Sequence, residues 1–166
     1  MPKILFLIRH AKTEAASFHM ADFDRRLTES GRKDAADMAK KVLVQGWKPT
    51  LMISSTAVRA IETSEIFSEV WNYPKQEIQK LEELYHCTIP AFEKTLEVIP
   101  DTVQIVSITA HNPGITGYLN SLSEKFNIDN MPTGSVAGIR ADTEEWSKFG
   151  NATKEVFLFE YPLKNP

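Results

Sequence analysis

The sequence has 166 residues, 42% of them apolar and 25% charged, with a net charge of −3. That length suits a single domain, expected over 1–166, with a core of ordinary size. The mild charge and the lack of a dense Lys/Arg tract give no reason to expect a nucleic-acid partner. One cysteine, Cys87, excludes an internal disulfide framework and fits a reducing compartment; with no cysteine motif around it, it reads as an inert thiol.

Lys3 to Ile8 is a continuous apolar run that ends in Arg9-His10. A run without alternation fits a strand buried on both faces. It is too short and wrongly flanked for a signal peptide, and no stretch approaches the roughly 20 apolar residues of a membrane span. A cytoplasmic protein with no membrane partner is the expectation. Ala11 to Arg26 has no clean period and reads as a long loop, a length that in compact domains marks function or mobility. Thr28 is a candidate N-cap for a helix with Ala35, Met38, Ala39, Val42 and Leu43 on one face, ended by Gly46.

Leu51 to Ile53 predicts a short strand ending at Ser54-Ser55, and Ala57 to Trp71 a second helix. Glu77 to Leu81 is a weaker strand, followed by Glu82-Glu83 and a short helix through Phe92 and Ile99. Val103 to Ala110, rich in β-branched residues, is a strong strand ending at His111-Asn112-Pro113-Gly114. The next helix carries Ile115, Tyr118, Leu119, Leu122 and Phe126 as its apolar stripe. Ser135 to Ala141 and Glu155 to Tyr161 are the last strands, joined by a polar connection over 142–153. Strands alternating with helices predict an α/β fold, a three-layer α/β/α sandwich with a mainly parallel sheet and the last strands antiparallel at one edge.

In such a sheet the carboxyl ends of the strands share one edge, where open α/β folds bind ligands. Arg9-His10, Ser54-Ser55 and His111-Asn112 all stand there. Arg59, one turn into the second helix, can reach back over that helix's N-terminus, which itself favours anions. Arg9, Arg59, two imidazoles and helix N-termini together suit a phosphoryl group. Ser55 and Asn112 are candidate substrate-binding residues. A neutral His10 can attack phosphorus in line to give a phosphohistidine, with the arginines and His111 stabilising the equatorial oxygens. No metal or other cofactor is expected: the four histidines show no zinc spacing, and a guanidinium-rich pocket repels a cation. His19 and His86 read as ordinary loop histidines. Taken alone, Arg59 reads as one half of an ion pair, with Glu62 or Glu83 as the acid, and the tryptophans read as core or rim.

Ile8-Arg9-His10-Ala11-Lys12 resembles the Arg-His-Gly/Ala signature of the histidine phosphatase superfamily, which is phosphoglycerate mutase-like in fold. The likeness sharpens toward its SixA-like phosphohistidine phosphatase branch. Asp22-Phe23-Asp24-Arg25 with Leu27-Thr28 and Gly31 resembles that branch's next segment. Ser54-Ser55 with Arg59-Ala60 and Thr63 resembles its second arginine motif, and His111-Asn112-Pro113-Gly114 its second histidine motif. The resemblance implies His10 as phosphoryl acceptor, Arg9, Arg59 and His111 as the rest of the phosphate pocket, and Arg25 near its mouth. Arg26, Thr56 and Ala110 depart from the pattern, and none of them removes a charged pocket residue. In members acting on esters a glutamate after the third strand protonates the leaving group; Glu83 stands near that position, with Glu82 beside it. A phosphohistidine substrate needs less of this help, because imidazole leaves more readily than an alkoxide.

The expected function is therefore a metal-independent phosphatase using a covalent phosphohistidine on His10, acting on a phosphohistidine of a phosphotransfer-type protein. The alternatives are a small-molecule phosphomonoesterase with Glu83 as general acid, and a non-catalytic phosphate-binding module. The chain lacks a long insertion after the second strand or helix, so the pocket is expected to be open enough for a protein-borne phosphoryl group. The partner is accordingly a phosphorylated protein or a small phosphate ester, and nothing in the sequence specifies an oligomeric state.

Overall fold

The apolar opening run forms a central strand, β1 (Lys3–Arg9), buried on both faces. Leu5 and Leu7 point into one core, while Ile4, Phe6 and Ile8 point into the other. This is the period-2 alternation of a strand in a sheet covered on both sides. The computed structural model describes residues 1–163; the last three residues of the domain expected over 1–166 lie outside the described residues.

The other strands are β2 (Leu51–Ser55), β3 (Gln79–Leu81), β4 (Ile105–Ala110), β5 (Val136–Ala141) and β6 (Lys154–Glu160). They form one sheet in the order β3-β2-β4-β1-β5-β6. The first four in that order are mutually parallel, whereas β5 runs antiparallel to β1 and β6 antiparallel to β5. The helices are α1 (Glu29–Val44), α2 (Val58–Val70), α3 (Ile89–Glu97) and α4 (Gly114–Ser121). Helices α1 and α2 cover one face through Ala35, Met38, Phe67 and Trp71; α3 and α4 cover the other through Phe92, Leu96, Ile115 and Leu119. The three-layer α/β/α sandwich with a mainly parallel sheet is the observed fold.

Local chemistry explains the helix limits. Thr28 caps α1, its hydroxyl accepting from the Gly31 N–H at 2.9 Å, and Gly46 takes the left-handed conformation after the helix (φ 90°). The α1 stripe is buried as its spacing predicts, except that Leu43 lies at the margin, 38% exposed. Helix α4 stops at Ser121, before Phe126. The Ser123 hydroxyl accepts from the Lys125 N–H at 3.2 Å, a local turn that competes with helix, and Phe126 packs on the core from beyond it. The polar connection over 142–153 holds a short 3-10 helix (Trp146–Asn151) whose Trp146 and Phe149 are buried. Lys3 is buried with them: its ammonium donates to the carbonyls of Asp101 (2.5 Å) and Val103 (3.0 Å) and lies over the Trp146 ring.

Candidate active site

Register assembles the site. β1 and β4 are neighbours with Arg9 opposite Ala110, so His10 and His111 leave the sheet side by side. The His10 N–H donates to the Ala110 carbonyl at 3.2 Å, and the two imidazole rings stand 5.2 Å apart. β2 flanks β4 on its other side with Ser54 opposite Thr109, which brings Ser55 against His111. The Gly134 N–H closes the end of β1 by donating to both the Arg9 and His10 carbonyls.

His10 Nδ1 lies 2.8 Å from the Ala11 carbonyl oxygen. A carbonyl only accepts, so Nδ1 carries the proton and Nε2 keeps its lone pair. Ala11 is itself fixed: its N–H donates to Thr63 Oγ1 at 3.0 Å, and the Thr63 hydroxyl donates to the Arg59 carbonyl at 2.8 Å. Burial pushes the His10 pKa down to about 4, and the charges of Arg59, Arg9 and Arg25 act in the same direction. A ring lowered in this way is neutral over the physiological range, with Nε2 unprotonated.

His111 is buried too, and its pKa is lowered to about 3, first by burial and then by His10 and Arg59. Its Nε2 lies 2.7 Å from Ser55 Oγ, a hydroxyl that already accepts from the Ala57 N–H at 3.2 Å. Ser55 can donate to Nε2, which leaves the proton on Nδ1. That Nδ1 is buried with no hydrogen-bond partner among the described residues. The Arg9 Nε is orphaned in the same way, while its Nη1 donates to the Met131 carbonyl at 2.7 Å. Two unpartnered donors beside the same pair of imidazoles could serve an oxyanion, although Ser64, Ser107, Thr109 and Tyr118 also bury an oxygen unpartnered among the described residues. Burial, and then the Arg59 charge, lower the Arg9 pKa.

Arg59 enters from the first turn of α2, buried, and pairs with neither Glu62 nor Glu83. Glu62 instead accepts from the Leu27 N–H and pairs with Arg32. The partner of Arg59 is Asp22: Nη1 donates to its carbonyl at 2.7 Å and Nη2 to its carboxylate at 3.0 Å. Asp22 lies on a 3-10 turn (Asp22–Asp24) within the long loop after β1. Its carboxylate also accepts from Arg25 Nη1 at 3.0 Å and from the Tyr85 hydroxyl at 2.7 Å. These bonds, the tyrosine's foremost, hold the Asp22 carboxyl well below the usual carboxylate range. Tyr85 faces the site from the segment after β3, its ring edge-on to His111 at 5.6 Å and 5.8 Å from the Arg59 guanidinium.

Arg9, His10, Arg59, His111 and Ser55 thus meet at the sheet edge, and Arg25 reaches the same cluster through Asp22. Asn112 sits beside His111, but its amide is engaged elsewhere. It donates to Asn130 and to the Met131 carbonyl and accepts from Thr116, tying down the loop that holds Arg9. Glu83 lies exposed on the 3-10 turn after β3 (Glu82–Leu84), where its carboxylate makes no hydrogen bond or ion pair among the described residues. Sequence reasoning assigns no role to Asp22, Thr63 or Tyr85. The first two lie in motif segments, so a signal is present. Tyr85 has none, because its place depends on how the turn after β3 packs.

Among the described residues no group of three or more His, Cys, Asp or Glu side chains could hold a metal ion. Two imidazoles, two guanidiniums and two orphaned donor atoms stand together at the carboxyl edge of the parallel strands of an α/β protein, a grouping suited to an oxyanion. The model of the histidine phosphatase superfamily (branch 1) matches residues 5–102, and the chain belongs to that superfamily. The fold matches that of a protein of Agrobacterium tumefaciens assigned as the phosphohistidine phosphatase SixA, with TM-score 0.83, 24% identity and coverage of 98% and 99% of the two chains. It also matches the protein histidine phosphatase SixA solved with tungstate, with TM-score 0.81, 19% identity and coverage of 95% and 96%. A mitochondrial serine/threonine-protein phosphatase of Xenopus tropicalis is 40% identical over 65 residues, 39% of this chain and 23% of that protein. The chain spans about a quarter of the length of the curated relatives it matches.

Proposed function

We propose that this protein is a phosphatase that works through a covalent phosphohistidine on His10 and acts on phosphohistidine carried by a protein. The observation that carries the mechanism is the His10 tautomer: the Ala11 carbonyl takes the Nδ1 proton and leaves Nε2 free to attack. Arg9, Arg59 and the His111 Nδ1 donor would stabilise the three equatorial oxygens in flight. The reading assigns no metal, since the two arginines supply the positive charge that a cation would bring. Water then hydrolyses the His10 adduct.

The substrate reading is supported by the likeness to SixA proteins and by brevity. Only Thr56 and Ala57 separate β2 from α2, so no insertion there roofs the pocket. The orphaned donors at Arg9 and His111 fit an oxyanion of the kind bound in the tungstate complex of SixA.

The test compares wild type with His10→Ala on a phosphohistidine-bearing phosphotransfer protein and on a panel of phosphate esters. Wild type should favour the phosphohistidine and yield an acid-labile phosphoenzyme on quenching. His10→Ala should yield none and lose activity by about 10³-fold or more. Equal rates in the two proteins would overturn the covalent mechanism. Preference for esters, lost in Glu83→Gln, would install the ester reading with Glu83 as acid. Oxyanion binding without turnover would make the protein a phosphate-binding module.

A further inference from the structure

Phosphoryl chemistry alone does not account for Asp22. Asp22 sets a carboxylate against the Arg59 guanidinium, where it repels any phosphate that approaches that arginine. Asp22 is well held there, by Arg25 from its own loop, by Arg59 from α2 and by Tyr85 from the segment after β3, with His111 behind the tyrosine. Its side chain is nevertheless 53% exposed, and Oδ1, which accepts only from Arg25, keeps a lone pair for a further donor. Neither partner of the Asp22–Tyr85 pair is suited to protonating a leaving oxygen. The carboxyl is held ionised, and the hydroxyl is already committed as donor to it.

One kind of leaving group turns this anion to advantage. A phosphohistidine ring bears the phosphoryl group on one nitrogen and, when protonated, a hydrogen on the other. His10 Nε2 forms the new P–N bond with its lone pair. The old P–N bond breaks and its electron pair stays on the departing nitrogen. The proton already on the far nitrogen remains there, and neutral imidazole leaves without help from an acid. A ring that has lost that proton would have to leave as imidazolate, a much poorer leaving group. We propose that Asp22 is a specificity-determining residue that accepts the far N–H of the substrate ring and keeps that ring in the cationic form able to leave. This rests on the phosphohistidine reading above. A carboxylate beside the ring favours its protonated form and so raises the pH at which it deprotonates. An ester's leaving oxygen offers no such N–H and meets only the repulsion.

The experiment uses Asp22→Asn, which keeps the shape and removes the charge, on a phosphohistidine peptide and on p-nitrophenyl phosphate from about pH 5 to about pH 9. The ratio of kcat/KM for the peptide to that for the ester should fall about tenfold, and the alkaline limb of kcat for the peptide, which reports the bound ring, should move about one unit toward acid. Tyr85→Phe, which keeps the carboxylate, should retain the wild-type limb. An equal loss on both substrates with the limb unmoved would make Asp22 only a positioning residue for Arg59 and overturn the proposal. An equal gain on both would make it only an occupant of the arginine and would overturn the proposal as well. A limb that moves as far in Tyr85→Phe would shift the role to the tyrosine and overturn it too. A wild type that hydrolyses the ester and not the peptide would overturn the phosphohistidine reading itself, and this proposal with it.

Discussion

Ser55 Oγ lies 2.7 Å from His111 Nε2, and the two residues come from the ends of adjacent parallel strands 56 positions apart in sequence. The hydroxyl orients an imidazole whose other nitrogen is buried with no partner among the described residues. Ser55→Ala would leave that ring free to turn and its Nε2 unpaired. We expect kcat to fall about tenfold with a smaller change in KM, because the bond orients a group used in the transition state. Steady-state kinetics on the preferred substrate checks this.

Thr63 acts one layer further back. It accepts from Ala11, whose carbonyl fixes the His10 tautomer, and donates to the Arg59 carbonyl. Thr63→Val keeps the volume and removes both bonds. A loss of about 1–3 kcal/mol in chemical denaturation is expected, together with a lower kcat. Thr63→Ser should restore most of both.

We expect the two site histidines to make the protein acid-sensitive. Their folded pKa values, about 4 for His10 and about 3 for His111, lie below the ordinary 6.5. The unfolded chain therefore binds protons first as pH falls. Stability is full above about pH 6.5 and declines as pH drops toward the folded values, by roughly 1.4 kcal/mol per unit of separation for each ring. The melting temperature should fall between about pH 7 and about pH 4.5. His10→Gln should flatten that slope, and an unchanged slope would remove His10 as its source.

Two motif glycines are fixed by close approach rather than by turn geometry. A Cβ on Gly31 would lie 2.2 Å from the Lys12 carbonyl oxygen, and one on Gly114 would lie 2.0 Å from that of Cys87. Both obstacles are backbone, so the chain itself must shift. Gly31→Ala and Gly114→Ala should each cost roughly 2 kcal/mol or more in denaturant unfolding, from overpacking. Gly31→Ala should also lower activity, since Lys12 is two residues from His10.

Much of the site is legible in the unfolded chain. Arg9, His10, Arg59 and His111 carry chemistry that a strand-end pattern flags, and the alternation of elements predicts that parallel strands deliver them to one edge. The partners of those residues are less legible. Sequence and motif neighbours suggest Glu62 or Glu83 for Arg59, yet it pairs with Asp22 from a loop without period. Asn112, a substrate-binding candidate from its place beside His111, spends its amide on holding Asn130 and Met131. The apolar stripe overruns the end of α4, because it continues to Phe126 whether or not the backbone stays helical.

The sheet, the buried β1, the caps of α1 and the candidate residues Arg9, His10, Arg59 and His111 follow from the order of residue types in the chain. Periodicity and side-chain chemistry set them, and these act over a few residues. Folding in three dimensions is what makes Ser55 meet His111, sets Thr63 against Ala11, and closes Asp22 and Tyr85 on Arg59. Such contacts depend on strand register and loop path, and a hydrogen bond between residues 37 or 63 positions apart leaves no periodic trace in the chain.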